Sequence, residues 1–315
     1  MTRLSDHYAR YLEIRRGLGF DLETSARVLR RFVAFADTEG ADHITTDLFL
    51  RWKESFGAAN ENTWAARLSM VRMFARWMNG VDPRTQIPPE NIIRRAAARP
   101  RPYIYSDDEI AALVDAAARL SSAYGLRGKT CAALFGLIAV TGLRLNEALA
   151  VDDSDIDFEE GVLRIKAGKN GKIRFLPIAP ETLGALDCYR TERDRILSAP
   201  GAAFFLFETG RRPTDCGARY NFAQASQAIG LRHAQQYNRH GRGPRIHDLR
   251  HTFAVRTIMN WYRRGRDPDR EMIKLSAYLG HVNPEATDWY IEAVPELMRL
   301  AAERAERSIA RRGAP

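Results

Sequence analysis

The apolar positions in the first 80 residues recur at helical spacing. Residues three or four apart lie on one face of a helix, and such a face is formed in the first segment by Leu4, Tyr8, Tyr11, Leu12 and Ile14. A second segment repeats the pattern with Val28, Leu29, Phe32, Val33 and Phe35. Two more segments of this kind each end at a glycine. The pattern predicts four short helices with no strand signal.

A change to alternating spacing marks the one clear β signal of the chain. Two short runs alternate between apolar and polar positions, and their apolar members are Leu163 and Ile165, then Ile173 and Phe175. Between the runs, Asn170 and Gly171 form a dipeptide that favours a tight hairpin turn. We therefore predict a β-hairpin with Lys169 at its tip, and helices with loops over residues 181–311.

A segment rich in proline and arginine separates the two patterned regions. This composition disfavours a packed core, so it predicts a linker over residues 86–103. The linker divides a helical domain at 1–85 from a second domain at 104–315. Ser106 and Glu109 fit a capping box at the first helix of the second domain. The predicted fold class is mainly α with a small β-hairpin or sheet.

The charge of the chain indicates a polyanionic partner. The 315 residues carry a formal net charge of +9, shared by both halves, and 45% of them are hydrophobic. Enough apolar material is present for a sizeable core. A positive surplus of this size is typical of proteins that bind nucleic acid, and on charge alone a merely soluble basic protein is an equal alternative.

Several classes of site are disfavoured by what the sequence lacks. The three cysteines, Cys131, Cys188 and Cys216, are far apart and form no pair with zinc-ligand spacing. No phosphate-binding loop, dinucleotide fingerprint or zinc-protease motif occurs, so we expect neither cofactor nor metal. The N-terminus has no signal-peptide pattern and no segment has the length of a membrane span. We expect a cytoplasmic protein with no membrane partner.

Two short motifs contain residues suited to phosphate chemistry. Arg144 follows Gly142 and precedes Glu147, and a guanidinium at the start of a helix can bind phosphate oxygens through two donors. His247 and Arg250 lie about one helical turn apart, so they share a face. Each motif taken alone is more typical of an ordinary polar helix surface, and lysines at a hairpin tip are usually solvated.

The motifs in chain order are far more specific than any one of them. They read G-L-R-x-x-E, a lysine-bearing hairpin, H-x-L-R-H, L-G-H, and a tyrosine nine residues after that histidine. This order resembles the tyrosine recombinase (phage integrase) family of DNA breaking-and-joining enzymes. The resemblance covers nearly the whole chain. It implies a helical core-binding domain, a linker and a mixed α/β catalytic domain.

The resemblance also implies a set of catalytic residues, which are Arg144, Lys169, His247, Arg250, His281 and Tyr290. Tyr290 would be the nucleophile that forms a 3′-phosphotyrosyl bond. The two arginines would bind the phosphate, and Lys169 would protonate the departing 5′-oxygen. The two histidines would donate to the phosphate or move the proton, and Glu147 would orient Arg144. Tyr278, in an apolar helical stretch, is the competing nucleophile.

The implied partner is double-stranded DNA. The resemblance implies four protomers on two DNA segments, as a homotetramer or together with sister recombinases, in the integration, excision or transposition of a mobile element. The basic segment 230–250 is expected to contact the phosphate backbone. Beyond Pro295 we predict a helix that folds back on its own domain or docks on a neighbouring protomer. A type IB topoisomerase and a catalytically silent DNA-binding accessory protein are the alternatives.

Overall fold

The computed structural model describes seven stretches of the chain, residues 3–57, 59–94, 101–166, 173–198, 201–235, 238–280 and 294–312. Three predicted site residues, Lys169, His281 and Tyr290, lie outside the described residues, as does the predicted Asn170–Gly171 turn. The chain divides into two compact units, Met1–Arg99 and Pro100–Pro315. Among the described residues no helix is both long and apolar enough to cross a membrane.

The first unit contains the four predicted helices, α1 (Leu4–Gly17), α2 (Glu23–Thr38), α3 (Thr46–Ser55) and α4 (Glu61–Asn79). Thr45 and Asn60 begin α3 and α4, where their side-chain oxygens accept backbone N–H groups that have no partner within the helix. Edge-to-face rings of Trp52 and Trp64 lie at the centre of the core, 5.3 Å apart. Ile14, counted with the buried face of α1, is instead 41% exposed.

The second unit contains eight described helices, α5 (Asp107–Ala118), α6 (Leu126–Thr141), α7 (Leu145–Leu149), α8 (Pro180–Ile196), α9 (Asp215–Ala228), α10 (Ile246–Arg263), α11 (Pro268–Leu279) and α12 (Pro295–Arg312). Helix α6 is apolar on nearly every side and is buried in the main core. The predicted capping box opens α5: the Ser106 hydroxyl accepts from the Glu109 N–H at 3.1 Å, and the Glu109 carboxylate accepts from the Ser106 N–H at 2.8 Å.

The predicted hairpin strands are part of a three-stranded antiparallel sheet of β1 (Ile156–Asp157), β2 (Val162–Ile165) and β3 (Arg174–Pro177). Leu163 faces Leu176 across β2 and β3, and both are buried. Ile173 and Phe175, the apolar residues of the second alternating run, are 57% and 65% exposed. Neighbouring residues of a strand point to opposite faces. Because Leu176 is buried in the core, Phe175 lies on the solvent-exposed face.

A second hairpin lies within the region predicted as helices and loops, and that part of the prediction was wrong. Strands β4 (His233–Gln235) and β5 (Asn238–Arg242) pair antiparallel. Their residues are mostly polar and do not alternate, so no pattern marked them. Arg232 stabilises the hairpin, because its side chain donates to the carbonyl oxygens of Gly241 at 2.9 Å and Gly243 at 3.3 Å.

Helix α12 begins at Pro295, where the sequence predicted a new helix. Its apolar residues Leu297 and Leu300 are buried, and Leu297 packs in a small core with Ala254 and Val255 of α10 and Leu275 of α11. The first turns of α12 therefore pack against the chain's own second unit. Its role toward a neighbouring protomer stays a prediction.

Candidate active site

The end of α6 forms one wall of the candidate site. Gly142 ends this helix with a positive φ of 65°, a conformation that favours glycine. A Cβ there would approach the Phe253 ring to 2.6 Å and the Leu279 side chain to 3.1 Å. The glycine thus lets the end of α6 lie directly against α10 and α11. Two residues later, Arg144 begins α7.

Arg144 is held by Glu147 and by the end of α11. Its backbone N–H donates to Oε2 of Glu147 and its Nη1 donates to Oε1, each at 2.9 Å. Nη1 also donates to the carbonyl oxygen of Leu279 at 3.3 Å, and Nη2 donates to that of Gly280 at 2.9 Å. The side chain is 39% exposed, so the guanidinium is fixed in direction and remains accessible to a ligand.

Arg250, on α10, reaches the same place from the interior. Only 1% of the residue is exposed. Its Nη1 donates to the carbonyl oxygen of Gly142 at 2.7 Å, and its Nη2 donates to that of Leu279 at 2.8 Å. The last carbonyl groups of a helix have no partner within that helix. Arg250 therefore satisfies the ends of both α6 and α11.

The two predicted arginines converge on one atom, the carbonyl oxygen of Leu279. The C-terminal end of a helix carries partial negative charge, which attracts cations. This position is immediately before the segment that contains His281 and Tyr290. The structure thus brings Arg144 and Arg250 together, although they are far apart in the sequence.

His247 lies one turn before Arg250 on α10 and is exposed to solvent. Its ring meets that of His251 edge to face, with centroids 4.6 Å apart. Although the residue as a whole is exposed, the protein around the imidazole partly desolvates it, and this effect, followed by the positive charge of Arg250, lowers the pKa of His247 to about 4. The imidazole is therefore neutral near pH 7 while no anion is bound beside it.

Arg174 is a cation of this site that the motif analysis missed. It begins β3, and its Nη1 and Nη2 donate to the two carboxylate oxygens of Glu147 at 3.2 and 2.8 Å. Burial raises the pKa of Glu147, but hydrogen bonds from Arg174 and Arg144 outweigh it and hold that pKa below its usual range. Glu147 is thus an ionised bridge between two arginines. The only sequence signal was another basic residue at the base of the hairpin.

Tyr278, the competing nucleophile, is poorly placed for attack. Its ring stacks on Phe253, with centroids 5.6 Å apart and planes 19° apart. Burial raises the pKa of the Tyr278 phenol above its usual range, which disfavours the phenolate. Its packing with the small core of α10 and α11 is consistent with a structural role.

A basic cleft in the first unit offers a second surface for an anion. The cleft has a volume of about 670 Å³, and its walls include Arg27, Arg31 and Arg67. The guanidinium of Arg67 lies 4.4 Å from the centre of the Phe56 ring and 4.5 Å from that of Trp64. Burial, together with the nearby charge of Arg31, lowers the pKa of Arg67. A bound anion would relieve this repulsion.

Comparison with known proteins relates the chain to one family. The family model described as "Phage integrase family" matches residues 105–296. The "Putative integrase/recombinase y4rB" of Sinorhizobium fredii is 41% identical over 302 residues, which cover 94% of this chain and 95% of that protein.

Solved structures with the same fold are more distant in sequence. The XerH site-specific recombinase in a post-cleavage complex with its difH substrate has a TM-score of 0.65 at 19% identity, covering 90% of this chain and 80% of that one. The Tn1549 transposon integrase bound to transposon right end DNA also has a TM-score of 0.65, at 15% identity, covering 97% of this chain and 100% of that one. Both identities are low, so these likenesses show the fold.

Proposed function

Since this chain belongs to the phage integrase family and is a site-specific DNA recombinase, we propose that it breaks and rejoins duplex DNA through a 3′-phosphotyrosyl bond to Tyr290. The observation that supports this most is the convergence of Arg144 and Arg250 on the carbonyl oxygen of Leu279. Two guanidiniums there, immediately before the segment of the sequence that contains Tyr290, can bind a phosphodiester.

The reaction transfers one phosphoryl group between two oxygens. As the phenol of Tyr290 gives its proton to one of the site histidines, its oxygen bonds to phosphorus and the bond from phosphorus to the 5′-oxygen breaks. Negative charge grows on the non-bridging oxygens, where Arg144 and Arg250 stabilise it. Lys169 gives a proton to the departing 5′-oxygen. Because the phosphate ester is kept as a bond to tyrosine, the reverse attack by a 5′-hydroxyl rejoins the strand without a nucleoside triphosphate.

The histidines act beside the same phosphate. His247 is neutral before DNA binds, so its imidazole has one N–H that can donate to a non-bridging oxygen and one nitrogen that can accept a proton. The negative charge of the phosphate then raises the pKa of the ring, because an opposite charge favours the protonated form. His281 supplies a second donor. Arg250, one helical turn after His247, is held by two carbonyl oxygens, so this donor stays fixed.

DNA binding uses both units of the chain. The basic cleft of Arg27, Arg31 and Arg67 binds backbone phosphates, and the exposed Arg242 and Arg245 follow the backbone next to His247. Four protomers, alone or with sister recombinases, assemble on two DNA segments. The biological role is integration, excision or transposition of a mobile element in the cytoplasm. The family match and the y4rB relative support this role.

The first experiment finds the DNA site and tests the covalent bond. Purified protein is mixed with fragmented genomic DNA of the source organism and then denatured. DNA attached to protein is recovered and its ends are sequenced. We expect one recurrent sequence with protein on the 3′-phosphate, in EDTA as well as in magnesium, and no attachment by the Tyr290→Phe variant. Scattered ends, or attachment through a 5′-phosphate, would contradict the proposal.

A second experiment separates recombination from simple relaxation of supercoils. A plasmid carrying two copies of the recovered site is compared with a plasmid carrying one. We expect exchange between the two copies and little relaxation of the single-site plasmid. Relaxation of both plasmids without exchange would instead support topoisomerase activity, and specific binding without any attachment would support the accessory protein.

A further inference from the structure

We propose that Arg174 is a positioning residue, which sets the direction of the Arg144 guanidinium through their shared partner Glu147. The proposal rests on the function proposed above, in which Arg144 binds the scissile phosphate. Arg174 lies at the first position of β3, opposite Ile165 of β2. The chain between these two paired residues contains Lys169, so Arg174 lies at the base of the hairpin that carries the proposed proton donor.

The three side chains form a closed hydrogen-bonded set. Each carboxylate oxygen of Glu147 accepts once from each arginine. Oε1 accepts from Nη1 of Arg144 at 2.9 Å and from Nη1 of Arg174 at 3.2 Å. Oε2 accepts from the Arg144 backbone N–H at 2.9 Å and from Nη2 of Arg174 at 2.8 Å. Arg174 thus holds both oxygens at once and fixes the plane of the carboxylate.

Burial makes this contact stronger than an ordinary surface ion pair. The side chains of Arg174 and Glu147 are 18% and 13% exposed, whereas that of Arg144 is 39% exposed. Ion pairs shielded from solvent are less screened and better ordered than exposed ones. Arg144, the most accessible member, therefore takes its direction from two less mobile partners. Misplacing a reacting group by about 1 Å can cost about 10²-fold in rate.

Arg174 also lies against the backbone that leads to His281. Gly280 has a positive φ of 65°, and a Cβ built there would lie 2.7 Å from Nη1 of Arg174 and 3.5 Å from Nη1 of Arg144. No larger residue fits without moving Arg174. One guanidinium is thereby packed against the residue before His281 while it holds the partner of Arg144.

A different role for Arg174 must be separated from this one. Its Nε is buried and has no hydrogen-bond partner among the described residues, so the same side chain could instead bind the phosphate itself. A residue that acts only through Glu147 loses its effect when Glu147 is changed. A residue that binds the phosphate keeps its effect in that background.

The test measures single-turnover cleavage at saturating protein, and separately the affinity for DNA, on the site recovered by covalent attachment. The variants are Arg174→Gln, Arg174→Lys, Glu147→Gln and the double variant Arg174→Gln/Glu147→Gln. Arg164→Gln is the matched control, because Arg164 lies on neighbouring β2 and pairs with buried Asp155, which keeps Lys166 as a second partner.

We expect Arg174→Gln to slow cleavage by up to about 10²-fold with affinity for DNA nearly unchanged. Arg174→Lys should cleave little faster than Arg174→Gln, because an ammonium cannot span both carboxylate oxygens in one plane. The double variant should be no slower than Glu147→Gln alone. The Arg164→Gln control should cleave like the wild type.

Three results would overturn the proposal. Cleavage by Arg174→Gln at the control rate would show that the contact has no role in the reaction. Multiplied losses in the double variant would show that Arg174 acts independently of Glu147. If the cleavage rate of both Arg174 variants falls only in step with a lower melting temperature, Arg174 has a role in stability alone. If the wild-type protein attaches to no site, the proposed function fails before this inference is tested.

Discussion

Arginines are held in two different ways in the two units of this protein. In the first unit, Arg67 lies over the rings of Phe56 and Trp64, at 4.4 and 4.5 Å from their centres. In the second, Arg144 and Arg250 donate to backbone carbonyl oxygens at the ends of helices. An aromatic face attracts a cation without fixing the direction of each N–H, whereas carbonyl oxygens at defined distances do.

The two arrangements suit two different functions, binding and catalysis. A guanidinium on a ring face can adjust to whichever phosphate lies nearby, which suits binding to a DNA backbone. A guanidinium fixed by carbonyl and carboxylate oxygens can favour the geometry of a transition state, which suits catalysis. We therefore expect changes in the first unit to alter affinity, and changes around Arg144 to alter the rate.

The largest expected effect comes from the nucleophile. Tyr290→Phe removes only the phenol oxygen, so strand cleavage should be lost while binding to the site is nearly unchanged. Gel-shift titration and a cleavage assay on a nicked site measure the two quantities. Tyr278→Phe is the control and should retain cleavage. Cleavage by Tyr290→Phe at the wild-type rate would remove Tyr290 from the mechanism.

The next largest effect concerns Arg144. Arg144→Lys keeps the positive charge but loses the planar, two-pronged donor. Loss of one transition-state donor typically lowers the rate by about 10²- to 10³-fold, and we expect a fall of that order with little change in affinity. Single-turnover kinetics provide the measurement. A variant that cleaves nearly as fast as the wild type would mean that Arg144 serves folding instead.

A change at Arg250 should lower both the cleavage rate and the stability, because Arg250 is buried whereas Arg144 is accessible. Arg250→Met removes a donor from the carbonyl oxygens of Gly142 and Leu279, of which Leu279 keeps Arg144, and an unsatisfied buried acceptor costs about 1–3 kcal/mol. We expect the free energy of unfolding to fall by at least that amount, and cleavage to be lost. Denaturant unfolding of Arg250→Met and Arg144→Met compares them. Equal destabilisation would contradict the difference in burial.

A change at Arg67 should have the opposite pattern of effects from a change at Arg144, on affinity and not on the cleavage rate. Arg67→Ala should weaken DNA binding. It should also reduce the slope of log affinity against log salt concentration by about one. The cleavage rate at saturating protein should stay nearly unchanged. The matched control for Arg67→Ala is Arg30→Ala, because Arg30 is exposed on α2 and does not line the cleft. A slower rate at saturation would break the division between binding and catalysis.

The smallest effect concerns stability and pH. Because the pKa of His247 is lowered from 6.5 to about 4, the unfolded chain binds more protons than the folded one between those values. The folded state should therefore lose stability as the pH falls through that window. His247→Gln removes this contribution, so its free energy of unfolding should vary less from pH 6.5 to pH 4. Identical pH slopes for variant and wild type would contradict the lowered pKa.

The sequence predicted those features that local pattern or chemistry determines. Helical spacing predicted α1 to α4, and the capping box predicted the start of α5, because both depend on neighbours three or four residues apart. The ordered motifs singled out Arg144 and Arg250, which the structure brings together, and their role in catalysis stays a prediction.

Features that depend on distant pairing could not be predicted. Arg174 contacts Glu147, 27 positions earlier, only because of the register of β3. The same register turned Phe175 outward, since a shift of one residue exchanges the faces of a strand. Burial of Arg250 likewise follows from the packing of α6, α10 and α11. Its donors to helix-end carbonyl groups have no counterpart in the motif.

The most direct test of the account is the identity of the tyrosine that bonds to DNA. Wild-type protein is attached to a nicked copy of the recovered site, digested with protease, and the peptide that retains the nucleotide is identified by mass spectrometry. We predict that the modified residue is Tyr290, in the segment that follows the helix end where Arg144 and Arg250 converge. Modification of Tyr278, or of any tyrosine in the first unit, would contradict the assignment of that convergence as the catalytic centre.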